Sequence, residues 1–294
     1  MFLLLARVIY LIIFAPKSLQ DKVKFVNKII HNTRGCYQVV VNDNKLVVLG
    51  AGWLGEALCL KANELGWQVQ GTGREVKHDH DFQRQLILQS GGLKHTVSLK
   101  DAWWVCAIPP KSRDTQSDYL ATLSASLELA KSLQCRGFIL CSSTGVYNNA
   151  DNTYTEQSTI ECSSPRQQLL YDAEQCVLQA GGKVLRLAGL VGPNREPGRF
   201  VAGKELKSSS QQLVNMVHRD DVIHAIFKLI EGWPNASAIY NVVNPAHPTK
   251  VDYYQQKCAE QGTSEPSFTS DEAKMRIIDG SAIESLGFQY QWSI

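Results

Sequence analysis

Beyond residue 44 the chain alternates short apolar runs with segments whose apolar residues recur every three or four positions. Lys45 to Leu49 (KLVVL) reads as a buried strand, and Glu56 to Gly66 (EALCLKANELG) as the helix behind it. Trp67 to Gln70 gives the next strand. Ala102 to Ile108 (AWWVCAI) gives a third, stopped by Pro109 and Pro110, and Gly137 to Cys141 (GFILC) a fourth. Helical spacing runs over Tyr119 to Leu133 between the last two. Strands that alternate with helices in this way predict an α/β fold on a doubly wound parallel sheet, with ligand sites at the carboxyl ends of its strands.

The first 43 residues break the pattern. Phe2 to Ala15 (FLLLARVIYLIIFA) is apolar except for Arg7. As a helix it would reach about 21 Å, short of the roughly 30 Å hydrocarbon core, so no spanning segment is expected. No basic region precedes it and no small-residue cleavage site follows, which argues against a secretory signal. Residues 1–43 are read as an extension upstream of the first nucleotide-binding strand. It is either foreign to the native chain, with Val41 as an alternative start, or an interfacial anchor.

Composition narrows the partners. Hydrophobic residues at 44% and charged residues at 20% over 294 positions describe a globular chain long enough for two domains. Thirty basic against twenty-eight acidic residues leave a formal charge of +2, so no general nucleic-acid surface is expected. The eight cysteines form no CxxC pair and no zinc-like array, and several sit in apolar runs, as core residues of a chain kept in a reducing, cytoplasmic compartment do. The triplet His78-Asp79-His80 lies in a polar loop without a second ligand cluster and reads as solvated surface rather than a metal site.

The strongest chemical signal is Gly50-Ala51-Gly52-Trp53-Leu54-Gly55, a GxGxxG between a strand and a helix. The first glycine allows the tight turn, the second lets backbone approach a pyrophosphate, and the third lets helix and strand pack closely. The helix N-terminus adds free N–H groups and the positive end of its dipole. Gly50, Gly52, Trp53, Leu54 and Gly55 are therefore expected to hold a dinucleotide, together with Ala107, Ile108 and Pro109 at the end of the third strand. The strand that opens at Trp67 ends without the acid that would bond a ribose 2′-hydroxyl, and Arg74 follows; this favours NADP over NAD.

Three later segments join this loop: Ser142-Ser143-Thr144-Gly145-Val146-Tyr147, then Leu185-Arg186-Leu187-Ala188-Gly189-Leu190-Val191-Gly192-Pro193, then Val217-His218-Arg219-Asp220-Asp221-Val222. With Ser285-Leu286-Gly287-Phe288 near the end, the order resembles the extended short-chain dehydrogenase/reductase superfamily in its NAD-dependent epimerase/dehydratase branch, from about Lys45 to the C-terminus. The resemblance implies a Rossmann domain over 44–192 and a small C-terminal α+β substrate domain over 193–294, of which about 213–245 returns to the first. It also implies hydride exchange with a bound nicotinamide, and homodimers through the helices over 119–133 and 166–180.

The catalytic Ser/Thr of that superfamily matches Ser143, with Thr144 beside it. Its tyrosine and the lysine four residues on do not match: aligned on Glu174, these positions carry Arg166 and Leu170. Tyr253-Tyr254-Gln255-Gln256-Lys257 has the spacing but not the context, and Tyr171 is off register. A tyrosine without a lysine to lower its pKa from about 10 is a poor base at neutral pH. The chain thus resembles the atypical members that keep the cofactor fold and lack the acid-base pair.

Arg186 reads equally as a residue beside the nicotinamide or as half of a structural ion pair. His218 and Asp221 read as architecture, with Asp221 at the start of a helix over Val222 to Glu231. Residues 193–212 read as a linker in which Arg195 and Arg199 meet an anionic substrate or the pyrophosphate. The expected protein is an NAD(P)-dependent oxidoreductase or epimerase-like enzyme acting on a small polar or sugar-like molecule. The rival is a non-catalytic NADP-binding sensor or scaffold.

Overall fold

The computed structural model describes residues 43–76, 80–89, 92–110, 118–273 and 275–294, together with a two-residue antiparallel pair, β1 (Asn32–Thr33) and β2 (Cys36–Tyr37). The Phe2 to Ala15 segment, His78 and Asp79 lie outside the described residues.

The centre is an eight-stranded sheet. Its strands are β3 (Lys45–Leu49), β4 (Gln68–Gly73), β5 (Gln83–Gln89), β6 (Gly92–His95), β7 (Trp103–Cys106), β8 (Gly137–Ser143), β10 (Lys183–Leu187) and β14 (Ile239–Val242). They lie in the order β14-β10-β8-β7-β3-β4-β5-β6, parallel throughout except for β6, which runs antiparallel to β5. The chain starts in the middle, at β3, builds outward to β6, and then returns to β3's other side with β7. That reversal between β3 and β7 leaves a crevice beyond the carboxyl ends of the two strands, the place where open parallel sheets receive ligands.

The side chains of β3 explain why both faces are covered. Leu46 and Val48 point into one apolar cluster and Val47 and Leu49 into the other, each fully buried. Successive side chains of a strand point to opposite faces, so a continuous apolar run needs both faces covered. Helices α1 (Trp53–Glu64) and α5 (Arg219–Glu231) close the first face through Leu54, Leu58, Val222, Ile226 and Leu229. Helices α2 (Tyr119–Ser132) and α3 (Pro165–Gln179) close the second through Leu123, Ala130, Ala173 and Val177.

Smaller pieces gather at the carboxyl edge of the sheet. They include three parallel pairs: β9 (Thr153–Tyr154) with β16 (Ile277–Ile278), β11 (Gly189–Val191) with β13 (Met216–His218), and β12 (Glu205–Ser209) with β15 (Ser267–Ser270). Helix α4 (Pro197–Val201) crosses α6 (Lys250–Gln261) so closely that a Cβ on Gly198 would press on the carbonyl oxygen of Lys257. The segment 193–212, expected as linker, therefore contains α4 and β12; its short polar elements have too little apolar periodicity to be read from sequence.

One boundary also shifts. The helix expected from Val222 starts at Arg219, because the His218 ring accepts the Asp220 N–H (3.2 Å) and caps it. Asp221 is consequently inside the first turn, fully buried, and its carboxylate accepts the N–H groups of Gln291 (2.8 Å) and Trp292 (3.3 Å). Its work is to anchor the C-terminal segment rather than to cap its own helix. Tyr253 and Lys257 lie on α6, with Tyr253 in the core.

Candidate functional site

The three glycines of the β3 to α1 turn have three different surroundings. Gly50 has φ of 86°, and a Cβ there would lie 2.9 Å from Ile108 Cγ1 and 3.0 Å from its backbone nitrogen. The end of β7 thus packs directly on the turn, which brings Ala107 and Ile108 to the glycine loop. At Gly55 a Cβ would collide with the carbonyl oxygen of Gly50, so the helix can sit on the turn only without one. Gly52 differs: among the described residues, a Cβ there meets nothing within 4 Å. Its missing side chain is explained by no neighbour among the described residues, and the position lies at the N-terminus of a twelve-residue helix that has no side-chain cap.

Thr72 at the end of β4 holds the turn in place. Its hydroxyl accepts the Gly50 N–H (3.1 Å) and its carbonyl accepts the Ala51 N–H (2.7 Å). Leu54 buries its side chain in the core and offers only backbone to the crevice. Arg74, two residues beyond Thr72, is exposed, with no side-chain partner among the described residues.

Trp53 opens α1 and turns its indole away from the sheet. Its Nε1–H donates to the Pro193 carbonyl (2.8 Å), and the guanidinium carbons of Arg195 and Arg219 lie 5.0 and 5.3 Å from its ring. Arg195 is thereby brought to the glycine loop. Arg199 pairs its guanidinium with Glu196 at 3.2 Å at the start of α4. Arg219 also pairs with an acid, Asp220, at 3.0 Å.

Ser143 ends β8. It is half-buried, and its Oγ accepts the Gly145 N–H (3.1 Å), which leaves the hydroxyl hydrogen free to donate. Thr144 is buried, and its carbonyl accepts Nη2 of Arg276 (2.9 Å). Of the two candidates, Ser143 is the less buried.

Behind Ser143 lies a buried polar network. Ser142 Oγ donates to Glu174 Oε1 (2.6 Å), and the Glu174 carboxylate receives Nε (3.1 Å) and Nη2 (2.7 Å) of Arg186. Arg186 Nη1 donates to the Tyr147 hydroxyl (2.8 Å), which in turn faces Asn241 Oδ1 (2.8 Å) and the Thr155 carbonyl (3.0 Å). Arg186 is therefore a structural ion pair, one of the two readings its position allowed. Burial works against its charge, yet the bonds to Glu174 hold its pKa above the ordinary value. Tyr147, the tyrosine nearest Ser143 in sequence, has its pKa raised by burial, against the opposing pull of Arg186. It is no acidified base.

The two positions that resemblance assigns to tyrosine and lysine are now visible. Leu170 is in the core, 2% exposed. Arg166 is exposed on the first turn of α3 and reaches back toward the Ser143 loop, its Nη2 3.8 Å from where a Gly145 Cβ would stand. Sequence reading passed over Arg166 as a missing tyrosine; the unpaired charge it carries depends on contacts made across the loop.

Elsewhere, a groove of about 1050 Å³ runs between α1 and α5 on the outer face, lined by Leu60, Leu65, Trp67 and Trp292. Arg219, which also lies over the Trp53 ring, is part of its wall. No cluster of metal-ligating side chains occurs among the described residues, and no described helix is long and apolar enough to cross a membrane.

No family model matches the chain. It is 34% identical over 265 residues to the protein YeeZ of Escherichia coli K12, covering 84% of this chain and 96% of the relative, and equally to YeeZ of E. coli O157:H7. Among solved structures it is similar to MoeE5 in complex with UDP-glucuronic acid and NAD, with a TM-score of 0.71 and 18% identity over 85% of this chain and 95% of that one. It is similar to UDP-glucuronic acid 4-epimerase from Bacillus cereus in complex with NAD, with a TM-score of 0.68 and 16% identity over 85% and 92%. The human epimerase family protein SDR39U1 with NADPH superposes with a TM-score of 0.63 and 16% identity over 84% and 95%.

Proposed function

Because this chain belongs to the family of E. coli YeeZ and carries the fold of NAD-dependent epimerase/dehydratase and extended short-chain dehydrogenase/reductase proteins, we propose that it binds a nicotinamide dinucleotide and acts as an oxidoreductase or epimerase-like enzyme on a small polar or sugar-like molecule. The observation that carries the reading is the contrast among the glycines. Gly50 and Gly55 are required by the protein's own packing, whereas Gly52 faces open space at an uncapped helix N-terminus. That is the cradle a pyrophosphate needs.

In this reading the N–H groups of the first turn of α1 receive the pyrophosphate, with Arg195 held beside them on Trp53. Arg74 meets a 2′-phosphate, which favours NADP, while Ala107, Ile108 and Pro109 wall the crevice. The nicotinamide supplies reversible hydride exchange when bound. Ser143 donates its free hydrogen to the oxygen of the reacting carbonyl or hydroxyl. Residues 193–294 form the substrate side, and the cytoplasmic protein pairs through α2 and α3.

A second reading has its own observation. Leu170 is buried where the resemblance places a lysine, and Tyr147 is locked in a network, which supports a reading without a tyrosine-lysine pair for proton transfer. A sensor or scaffold that holds the nucleotide as ligand needs none. Fluorescence titration with NADH and NADPH, followed by a panel of carbonyl and nucleotide-sugar substrates, separates the readings. The enzyme reading expects NADPH to bind about tenfold tighter than NADH or more, the preference to vanish in Arg74→Gln, and turnover to fall at least a hundredfold in Ser143→Ala. Tight binding without turnover across the panel favours the sensor. Failure to bind either cofactor overturns both.

A further inference from the structure

We propose that the groove between α1 and α5 is the docking site of this chain's own apolar segment, Phe2 to Ala15. The groove is not the glycine cradle, so the proposal stands apart from the dinucleotide reading.

The groove measures about 1050 Å³, and its wall includes Leu60, Leu65, Trp67, Ile223, Phe227 and Trp292. Leu60, Leu65 and Trp292 are 39%, 40% and 37% exposed, so three of the five large apolar side chains exposed among the described residues stand on this one surface. Single exposed apolar residues are ordinary, whereas a cluster marks a surface of contact. The charged rim argues against an ionic ligand. Lys61 pairs with Glu64 (3.3 Å), Arg136 with Asp101 (2.6 Å), Arg219 with Asp220 (3.0 Å) and Lys228 with Glu231 (2.8 Å). Each lysine and arginine of the wall thus has its acid, and what the groove has left to offer is apolar area.

The chain supplies a match. The described core begins at Asp43, and the next residue, Asn44, is part of the groove wall. That point is fixed. The Asn44 carbonyl accepts the Gln68 N–H (3.0 Å), and the Asp43 carboxylate lies 3.3 Å from Lys45 Nζ and 3.9 Å from Arg136 Nη2. The forty-two residues before Asp43 therefore depart from the edge of the groove. Arg219 and Glu231, the first and last residues of α5, both stand in the wall, so the groove follows a helix of thirteen residues, about 20 Å long. Phe2 to Ala15 is fourteen residues, about 21 Å as a helix. Between Ala15 and Asp43 lie twenty-seven residues, which would reach about 90 Å if extended, so the tether is long enough even with the β1 and β2 turn folded back within it.

The pattern inside the segment fits as well. Phe2, Leu5, Ile9 and Ile12 recur at helical spacing on one side, with Arg7 on the opposite side. Apolar anchors three and four apart are how a helix lies in an apolar groove. A helix lying on a membrane surface carries a strongly charged face, and one arginine in fourteen residues does not supply it. Tethering favours the intramolecular partner further, because a tether holds its segment at an effective concentration on the order of millimolar, where even weak apolar contact keeps a groove covered.

The test places a benzophenone photo-crosslinking amino acid at Ile9 of the full chain, and at Arg7 in a control protein, and maps the products by mass spectrometry. The expected product is an intramolecular crosslink from Ile9 to peptides of α1 or α5, about tenfold more abundant than from Arg7 and reduced about tenfold by Leu60→Asp. Leu60 is exposed, so the substitution leaves the core intact, which a thermal melt checks. Leu5→Asp, a change outside the described residues, is the second variant and is expected to give the same loss. Irradiation is repeated with vesicles of phosphatidylcholine and phosphatidylserine, and the crosslink to the groove should persist. The proposal is overturned if Ile9 reaches no groove peptide, or if either variant, once shown to be folded, keeps the wild-type yield. It is equally overturned by a crosslinked dimer, which would assign the groove to a second copy, or by transfer of the crosslink to lipid, which would make the segment a membrane anchor.

Discussion

At the scale of single residues, the glycine turn separates what the fold requires from what a ligand requires. The spacing Gly50, Gly52, Gly55 is local, so it was fully legible in the sequence, but spacing alone does not say which glycine does what. The surroundings do. A Cβ at Gly55 has the Gly50 carbonyl in its way, and backbone cannot step aside as a flexible side chain can. Gly52 adopts φ of −90° and ψ of −156°, which an alanine tolerates, and has open space around it. Two otherwise similar substitutions are thus expected to diverge. Gly55→Ala should lower unfolding free energy by about 1–3 kcal/mol or more through overpacking. Gly52→Ala should leave the melting temperature within about a degree of wild type while weakening dinucleotide binding at least tenfold, because its methyl group occupies the cradle. Thermal melts and cofactor titration on both variants check this. Equal loss of binding and stability in Gly52→Ala would show that the space is structural.

At the scale of elements, the buried network of Glu174 and Arg186 joins α3 to β10, and through Ser142 and Tyr147 to β8 and the loop beyond it. Glu174 is fully buried and Arg186 is 3% exposed, so removal of either partner strands a charge in the interior. Glu174→Ala is expected to cost about 3–5 kcal/mol, and the double replacement Glu174→Leu with Arg186→Met to recover much of that loss, because a well-packed apolar pair avoids the desolvation penalty. Denaturant melts of the single and double variants measure it; additive losses would mean that the two groups act independently. Such couplings explain the limits of sequence reading. Strands β3, β7 and β8 were legible because burial on both faces makes them nearly continuous apolar runs. Strand β5 (QRQLILQ) and the short β6, α4 and β12 were not, since an edge or surface element needs no such run. In the candidate site, Ser143 was legible from its motif. The approach of Arg166 to the loop at Gly145 was not, because it is made across the fold and leaves no local pattern.

At the scale of the whole molecule, the end of the chain is tied back to the α1 and α5 face of the sheet. Asp221 on α5 accepts the backbone N–H groups of Gln291 and Trp292, and Trp292 stacks on His218 with ring centroids 5.8 Å apart. Tyr290 reinforces the tie, its hydroxyl accepting the Val243 N–H (3.0 Å) and donating to the Gly280 carbonyl (3.0 Å). His218 also approaches the turn after β11, because a Cβ on Gly192 would stand 3.2 Å from its Nε2 and 3.5 Å from the Trp53 ring. The terminal segment therefore supports the ring stack that borders Trp53 and the glycine turn, so its release should be felt at the cofactor cradle. Asp221→Ala is expected to destabilise the protein by about 1–3 kcal/mol, to expose the amides of Gln291 and Trp292 to hydrogen exchange, and to weaken cofactor binding modestly. The pH dependence follows from the carboxyl group. Burial raises the pKa of Asp221 above its ordinary value, with the two backbone bonds, His218 and His224 opposing. The folded protein thus binds this proton more tightly than the unfolded chain does. The group's contribution to stability is fully present below the unfolded value and declines as pH rises through the raised one. The stability difference between wild type and Asp221→Ala should accordingly be larger near pH 4 than near pH 7. A difference that grows as pH rises over this range would show that the ionised carboxylate, held by its two N–H donors, is the form the fold prefers.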